Sequence, residues 1–245
     1  MKDDIFILDS YARRYLPRLL PVMLGLGIAG VAAAKFLGDR TYSFLMGRGP
    51  MIIFFAEVIY ALIVLGDLTT NRSVYGYKLG MLRMSERRLF VLSCIFNIMV
   101  FLMLWAVMCC SVIVQGKILD ASGVFAPSPQ SLYVGYTLSG YIRLFVPMDD
   151  VLRTAAVIML LVSFGLLSAC SFANRLKRKP GLPTASIFIY VLLLYFVMVN
   201  RTGAYGGSIF LPILAVFSLV ISAGLSVFRL SDLSKGTNVE EDDGE

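Results

Sequence analysis

The chain contains no histidine and only four cysteines in 245 residues. Without histidine it has no His-x-x-x-His or His-Glu-x-x-His metal site, no Ser–His catalytic pair and no histidine proton relay. The cysteines form no Cys-x-x-Cys motif that would indicate zinc. The P-loop motif Gly-x-x-x-x-Gly-Lys-Ser/Thr is missing as well. We therefore expect no catalytic residues, no metal and no cofactor bound by this chain.

Charged residues are scarce, at 16% of the chain, whereas 58% of the residues are apolar and the mean hydropathy is +0.80. The apolar residues form stretches about as long as the 17–25 residues that cross a bilayer as a helix. A two-residue alternation, as in membrane β-barrels, is lacking. We predict an all-α membrane protein with one domain, residues 1–230, and a disordered acidic tail, 231–245. The six predicted transmembrane helices are 21–37, 50–66, 89–115, 151–173, 183–200 and 208–228.

The net charge of +6 reports topology rather than a nucleic-acid partner. Fifteen of the 22 lysines and arginines lie in four short segments, which six crossings would place on one side of the membrane. Basic residues accumulate on the cytoplasmic side, so both termini are predicted to lie in the cytoplasm. The location predicted is the cell membrane, specifically a bacterial plasma membrane. The basic segments are 2–18, 72–88, 175–179 and 229–235.

Two segments outside the crossings are predicted to lie along the membrane surface. Residues 1–20 predict an amphipathic interfacial helix against lipid headgroups, because apolar residues recur there at helical spacing. Pro17 and Pro21 would then turn the chain into the bilayer. In the external loop 116–150, residues 132–146 predict a re-entrant or an interfacial helix. The apolar stripe of the first segment consists of Ile5, Leu8, Ala12, Leu16 and Leu19.

Polar residues inside the predicted crossings are few. Glu57 lies within the second crossing, where a carboxylate is costly unless it is paired, neutralised or in contact with water. It is a functional candidate, or else one half of a structural ion pair with Lys35 near the end of the first crossing. Asn97 predicts a hydrogen bond between helices. Small residues four apart, in 165–173 and 218–226, predict close helix contacts, either inside this chain or with another subunit.

Residues 68–88, between the second and third crossings, predict a short basic helix on the cytoplasmic side. Its apolar residues recur at helical spacing. From the end of the second crossing to the start of the third, the chain offers an acidic residue, a leucine, a serine, a basic pair and an apolar pair. These are Asp67, Leu82, Ser85, Arg87–Arg88 and Leu89–Phe90.

With this order the chain resembles the ABC-2 type permeases, the six-helix membrane subunits of a class of ABC exporters. Arg83 and Met84 stand where that family has proline. The resemblance extends to the chain length, the cytoplasmic termini and the N-terminal amphipathic helix. It implies that the loop docks on an ATPase as a coupling helix. The implied coupling residues are Arg72, Tyr75, Tyr77, Lys78, Leu79, Leu82, Arg83, Ser85 and Glu86.

The resemblance implies a P-loop ATPase as a separate subunit, with ATP and magnesium bound there, and a second six-helix permease, identical or related. The expected function is export of an amphipathic peptide, a lipid-like compound or a drug. Two alternatives stay open. One is the substrate-capturing membrane module of an energy-coupled importer, and the other is a membrane enzyme acting on lipid substrates.

Overall fold

The computed structural model describes residues 2–37, 49–66, 85–121, 136, 142–147, 150–176 and 209–231. These residues are nearly all helical, as the all-α prediction requires. Four of the helices are long and apolar enough to cross a membrane, so the chain is a multi-pass membrane protein. The described helices are α1 (Lys2–Leu37), α2 (Gly49–Leu65), α3 (Glu86–Ala121), α4 (Ile142–Phe145), α5 (Val151–Leu176) and α6 (Ile209–Ser231).

The four spans are α1, α3, α5 and α6, and α2 is an apolar helix of 17 residues. The predicted fifth crossing, 183–200, lies outside the described residues. So do residues 232–245 of the tail, most of the coupling loop and most of the external loop. Six crossings remain a prediction.

The bundle is organised around α1 and α3, two 36-residue helices that run in the same direction. Arg88 Nη2 donates a hydrogen bond to Asp4 Oδ2 at 2.6 Å, and near the other ends Gly30 lies against Gln115. The two residues are 84 positions apart in the first pair and 85 in the second. The helices are therefore parallel and keep the same register along their length. At 1.5 Å per residue each is about 54 Å long, longer than the ~30 Å hydrocarbon core.

The predicted interfacial helix 1–20 is not a separate element. Residues 2–37 form one continuous helix that includes Pro17 and Pro21. Both prolines lie on its exposed face. The packed face therefore continues past them, and its contacts hold the two parts of the helix in line where proline alone would favour a break.

The stripe of α1 that packs into the bundle also differs from the predicted one. Ile5 is 66% exposed, and Leu8, Ala12 and Leu16 are only half-buried. The buried stripe is instead built around two tyrosines. The centroid of the Tyr11 ring lies 5.7 Å from that of Phe96 in α3 and 6.1 Å from that of Phe172 in α5. The N-terminal half of α1 thus packs inside the bundle, with the stripe Ile7, Tyr11, Tyr15, Leu19 and Met23 buried.

Helices α3 and α5 pack closely in opposite directions. Gly165 lies against the backbone of Ile98, and the Phe101 and Phe164 ring centroids are 5.8 Å apart. Glycine permits this approach because it has no Cβ. The small residues of segment 165–173 therefore make a contact inside the chain.

Helix α6 packs beside α5, and the two run in the same direction. Ser226 Oγ lies 3.5 Å from Cys170 Sγ, and Arg229 Nη2 donates a hydrogen bond to the carbonyl oxygen of Ala173 at 3.0 Å. Each pair is separated by 56 positions. The serine stripe 218–226 is likewise an internal contact, because Ser218, Ser222 and Ser226 are all buried.

The external loop predicted for 116–150 begins later than expected, because α3 continues to Ala121. Within 132–146, Tyr136 and residues 142–146 are described. Ile142, Leu144 and Val146 are buried in the main core, and Tyr136 donates a hydrogen bond to the carbonyl oxygen of Val146. The short helix α4 thus packs on the protein.

Candidate functional site

The C-terminal halves of α1 and α3 and the N-terminal half of α2 line an open-sided cavity of about 270 Å³. Aliphatic side chains such as Met23 and Leu26 form most of its wall. Three polar side chains also line it, those of Glu57, Ser111 and Gln115. An apolar cavity with a few convergent polar groups is the usual form of a small-molecule site. This cavity is therefore the candidate site.

Two glycines of α1 allow the polar groups of α3 to reach the wall of the cavity. A Cβ on Gly30 would lie 2.4 Å from Gln115 Nε2, and a Cβ on Gly27 would lie 3.7 Å from the Cβ of Ser111. Any larger residue at position 30 would displace the Gln115 amide. The lack of a side chain at Gly30 thus sets where that amide lies.

Glu57 is positioned by its own helix. Tyr60 lies one turn further along α2, and its hydroxyl donates a hydrogen bond to the carbonyl oxygen of Arg18 at 3.2 Å. This contact ties α2 to α1 along the face that carries Glu57. The Glu57 side chain is 6% exposed and lines the cavity. No side chain or backbone group in the described ranges forms a hydrogen bond or an ion pair with it.

Gln115 and Ser111 form a small polar unit on α3. Gln115 Nε2 donates a hydrogen bond to Ser111 Oγ at 2.8 Å, one turn away on the same helix. Gln115 is 8% exposed. Within the described part of the chain its amide oxygen accepts no hydrogen bond, so this oxygen is available to a donor in the cavity.

Lys35 does not form the predicted ion pair with Glu57. Its side chain is exposed, with Nζ 6.0 Å from the centroid of the neighbouring Phe36 ring. Ala33 lines the cavity, and a residue two positions later points about 200° away around the helix. The described residues contain no ion pair between Lys35 and Glu57. The predicted ion pair is wrong because hydropathy gives the depth of a residue along a helix. It does not give the direction in which the side chain points around the helix axis.

Asn97 belongs to the packing between α3 and α5, away from the cavity. Its side chain is 2% exposed, and its Nδ2 donates a hydrogen bond to Ser168 Oγ at 2.8 Å. Ser168 Oγ in turn donates to the carbonyl oxygen of Gly165 at 2.8 Å. This chain of hydrogen bonds lies beside the contact of Gly165 with the backbone of Ile98, so Asn97 has a structural role.

Two of the predicted coupling residues, Ser85 and Glu86, lie in the described part of the chain. The carbonyl oxygen of Ser85 accepts hydrogen bonds from the backbone nitrogens of Arg88 and Leu89, at 3.0 and 3.3 Å, and so begins α3. Glu86 is exposed in the first turn. The others lie outside the described residues: Arg72, Tyr75, Tyr77, Lys78, Leu79, Leu82 and Arg83.

Sequence reasoning missed the two glycines that shape the cavity and the two polar residues that join Glu57 in its lining, namely Gly27, Gly30, Ser111 and Gln115. The sequence predicts that the third crossing ends at Gln115, whereas α3 continues for another six residues. The available signal was that Ser111 and Gln115 are four positions apart and therefore share one face of a helix. In comparisons with known proteins, no family model, curated protein or solved structure matches this chain.

Proposed function

We propose that this chain is the membrane-spanning permease subunit of an ABC exporter, which moves an amphipathic compound and is powered by a separate ATPase chain. One observation carries the proposal. Helix α3 runs without a break from Glu86, at the end of the predicted coupling segment (residues 68–88), to Gln115 in the wall of the cavity. A single rigid element thereby connects the ATPase-docking segment to the candidate substrate site.

The contacts at the start of α3 support the same proposal. Arg88 is hydrogen-bonded to Asp4, so the first turns of α1 and α3 are joined beside the coupling segment. Both helices line the cavity at their other ends. Packed helices move as rigid elements. A displacement of the coupling segment would thus reach two of the three walls of the cavity.

The direction of the helices supports the proposed six-crossing topology. Helices α5 and α6 run in the same direction, so their first residues, Val151 and Ile209, lie at the same end of the bundle. The chain has to return to that end between them, as it would through the predicted crossing 183–200. With basic residues on the cytoplasmic side, α1 and α3 begin in the cytoplasm. A second permease and a bacterial plasma membrane belong to the same proposal.

Site-specific crosslinking in the native membrane tests the proposal. A photo-reactive amino acid at Leu79, inside the coupling segment, should capture a P-loop ATPase. The matched control is the same amino acid at Asp120, at the opposite end of α3. No ATPase should be captured there. An inserted protein that captures no ATPase at Leu79, or captures it equally at both positions, contradicts the proposal.

A further inference from the structure

We propose that the cavity between α1, α2 and α3 binds a small amphipathic cation, a protonated amine with an apolar body. This inference rests on the proposed permease function and names the substrate class of that permease. The cavity volume of about 270 Å³ lies just below the range of about 300–1,000 Å³ typical of ligand pockets. The occupant is therefore small, and the aliphatic wall accommodates its apolar part.

Glu57 supplies the charge selectivity. Its carboxylate lines an apolar cavity in a membrane-spanning bundle, and no described residue neutralises it. A carboxylate in such surroundings is costly unless a cation or a proton accompanies it. A protonated amine in the cavity would provide that cation, together with hydrogen-bond donors.

Gln115 adds to the same preference. One of its two amide N–H groups donates to Ser111 Oγ, and its amide oxygen accepts no hydrogen bond from the described residues, so that oxygen can accept one from a ligand. Glu57 likewise offers only acceptors when ionised. Two acceptors that line the cavity, one on α2 and one on α3, favour a ligand that carries donors, and an ammonium group has up to three. An anionic ligand would meet the like charge of Glu57 instead.

The experiment measures binding of decylamine to the purified full chain in lipid nanodiscs by calorimetry, with no ATPase present. Decanol, which has the same alkyl chain and no charge, is the matched probe. Variant Glu57→Gln removes the carboxylate and keeps the size of the side chain. Asp120→Asn, which removes an exposed carboxylate at the end of α3, is the matched control.

Decylamine should bind the wild type and Asp120→Asn equally well, and bind Glu57→Gln about 30-fold more weakly or worse. Decanol should bind all three proteins equally weakly. Equal binding of decylamine to Glu57→Gln and the wild type would overturn the proposal, as would decanol binding the wild type as tightly as decylamine. The second result would indicate a site for neutral ligands.

A second variant covers the case in which Glu57→Gln does not fold. Gln115→Met removes the other acceptor at similar size and should weaken decylamine binding without affecting decanol. Unchanged decylamine binding to a folded Gln115→Met would contradict the role of the amide oxygen and overturn the two-acceptor site. Loss of the cation site leaves the Leu79 crosslink intact, and failure of that crosslink leaves decylamine binding intact. The two proposals therefore fail separately.

Discussion

Gly165 of α5 lies directly against the backbone of Ile98 in α3. A Cβ on Gly165 would be 2.8 Å from both the nitrogen and the Cα of Ile98. Backbone atoms of a packed helix cannot turn aside as the end of a flexible side chain can. This contact therefore fixes the spacing between α5 and α3, the helix that runs from the predicted coupling segment to the cavity.

Replacing Gly165 by alanine should destabilise the protein, because the added methyl group would force α3 and α5 apart. Overpacking of this kind costs about 1–3 kcal/mol. The matched control is Gly224→Ala in α6, where a Cβ would have no neighbour within 4 Å. That variant should be as stable as the wild type or up to about 1 kcal/mol more stable, since alanine favours a helix over glycine. Thermal unfolding in detergent compares them, and equal melting temperatures would contradict the contact.

The hydrogen bond between Asn97 and Ser168 should stabilise the same pair of helices. A double-mutant cycle with Asn97→Ala and Ser168→Ala isolates this bond from the one that Ser168 donates to Gly165. We expect a coupling free energy of about 0.5–2 kcal/mol, the range seen for hydrogen bonds between membrane helices. Strictly additive losses in the free energy of unfolding would show that the pair contributes nothing.

The ion pair between Arg88 and Asp4 should matter more for transport than for stability. The Arg88 side chain is 49% exposed and the Asp4 side chain 25% exposed, so the pair contributes at most about 1 kcal/mol. Arg88→Met should nevertheless lower ATP-driven transport, because it removes the ion pair that joins α1 to α3 beside the predicted coupling segment. The control is Arg13→Met, which breaks an ion pair with Asp9 inside α1 alone. Equal transport by the two variants would contradict a coupling role for Arg88.

Labelling of single cysteines in intact cells tests the six-crossing topology. In a background without the native cysteines, a cysteine at Asp120 should react with a membrane-impermeant reagent added outside. Cysteines at Ser231 and Lys177 should react only after the membrane is opened, because both are predicted to lie in the cytoplasm. Gly203 should be accessible from outside. External labelling at Lys177 would contradict the six-crossing topology.

The lengths of the apolar stretches predicted several helices well. The second stretch, 50–66, matches Gly49–Leu65, and the fourth and sixth stretches begin within one residue of α5 and α6. The composition of these stretches was enough to predict the helices, because the thickness of the hydrocarbon core sets the length of apolar chain that a crossing needs.

The continuity of α1, the rotation of its side chains and the cavity depend on contacts between helices, and the sequence did not predict them. Pro17 and Pro21 predict a break in α1, yet α1 is one continuous helix, and Tyr11 and Tyr15 before the prolines pack against Phe96 of α3. Depth along the helices predicts a pair between Lys35 and Glu57, whereas the rotation of α1 separates the two side chains. The cavity itself is formed by three helices, and no local pattern in any one of them encodes it.

Co-purification tests the central claim most directly. The full chain, tagged at its C-terminus and extracted from the membrane in a mild detergent, should bring down a P-loop ATPase. The complex should hydrolyse ATP, whereas the isolated chain should not. Tyr75→Ala and Leu82→Ala should reduce the recovered ATPase while the permease still inserts, because a few well-packed residues carry most of the binding energy of an interface. Recovery of the inserted wild-type chain alone, with no ATPase at any detergent concentration, would contradict the account.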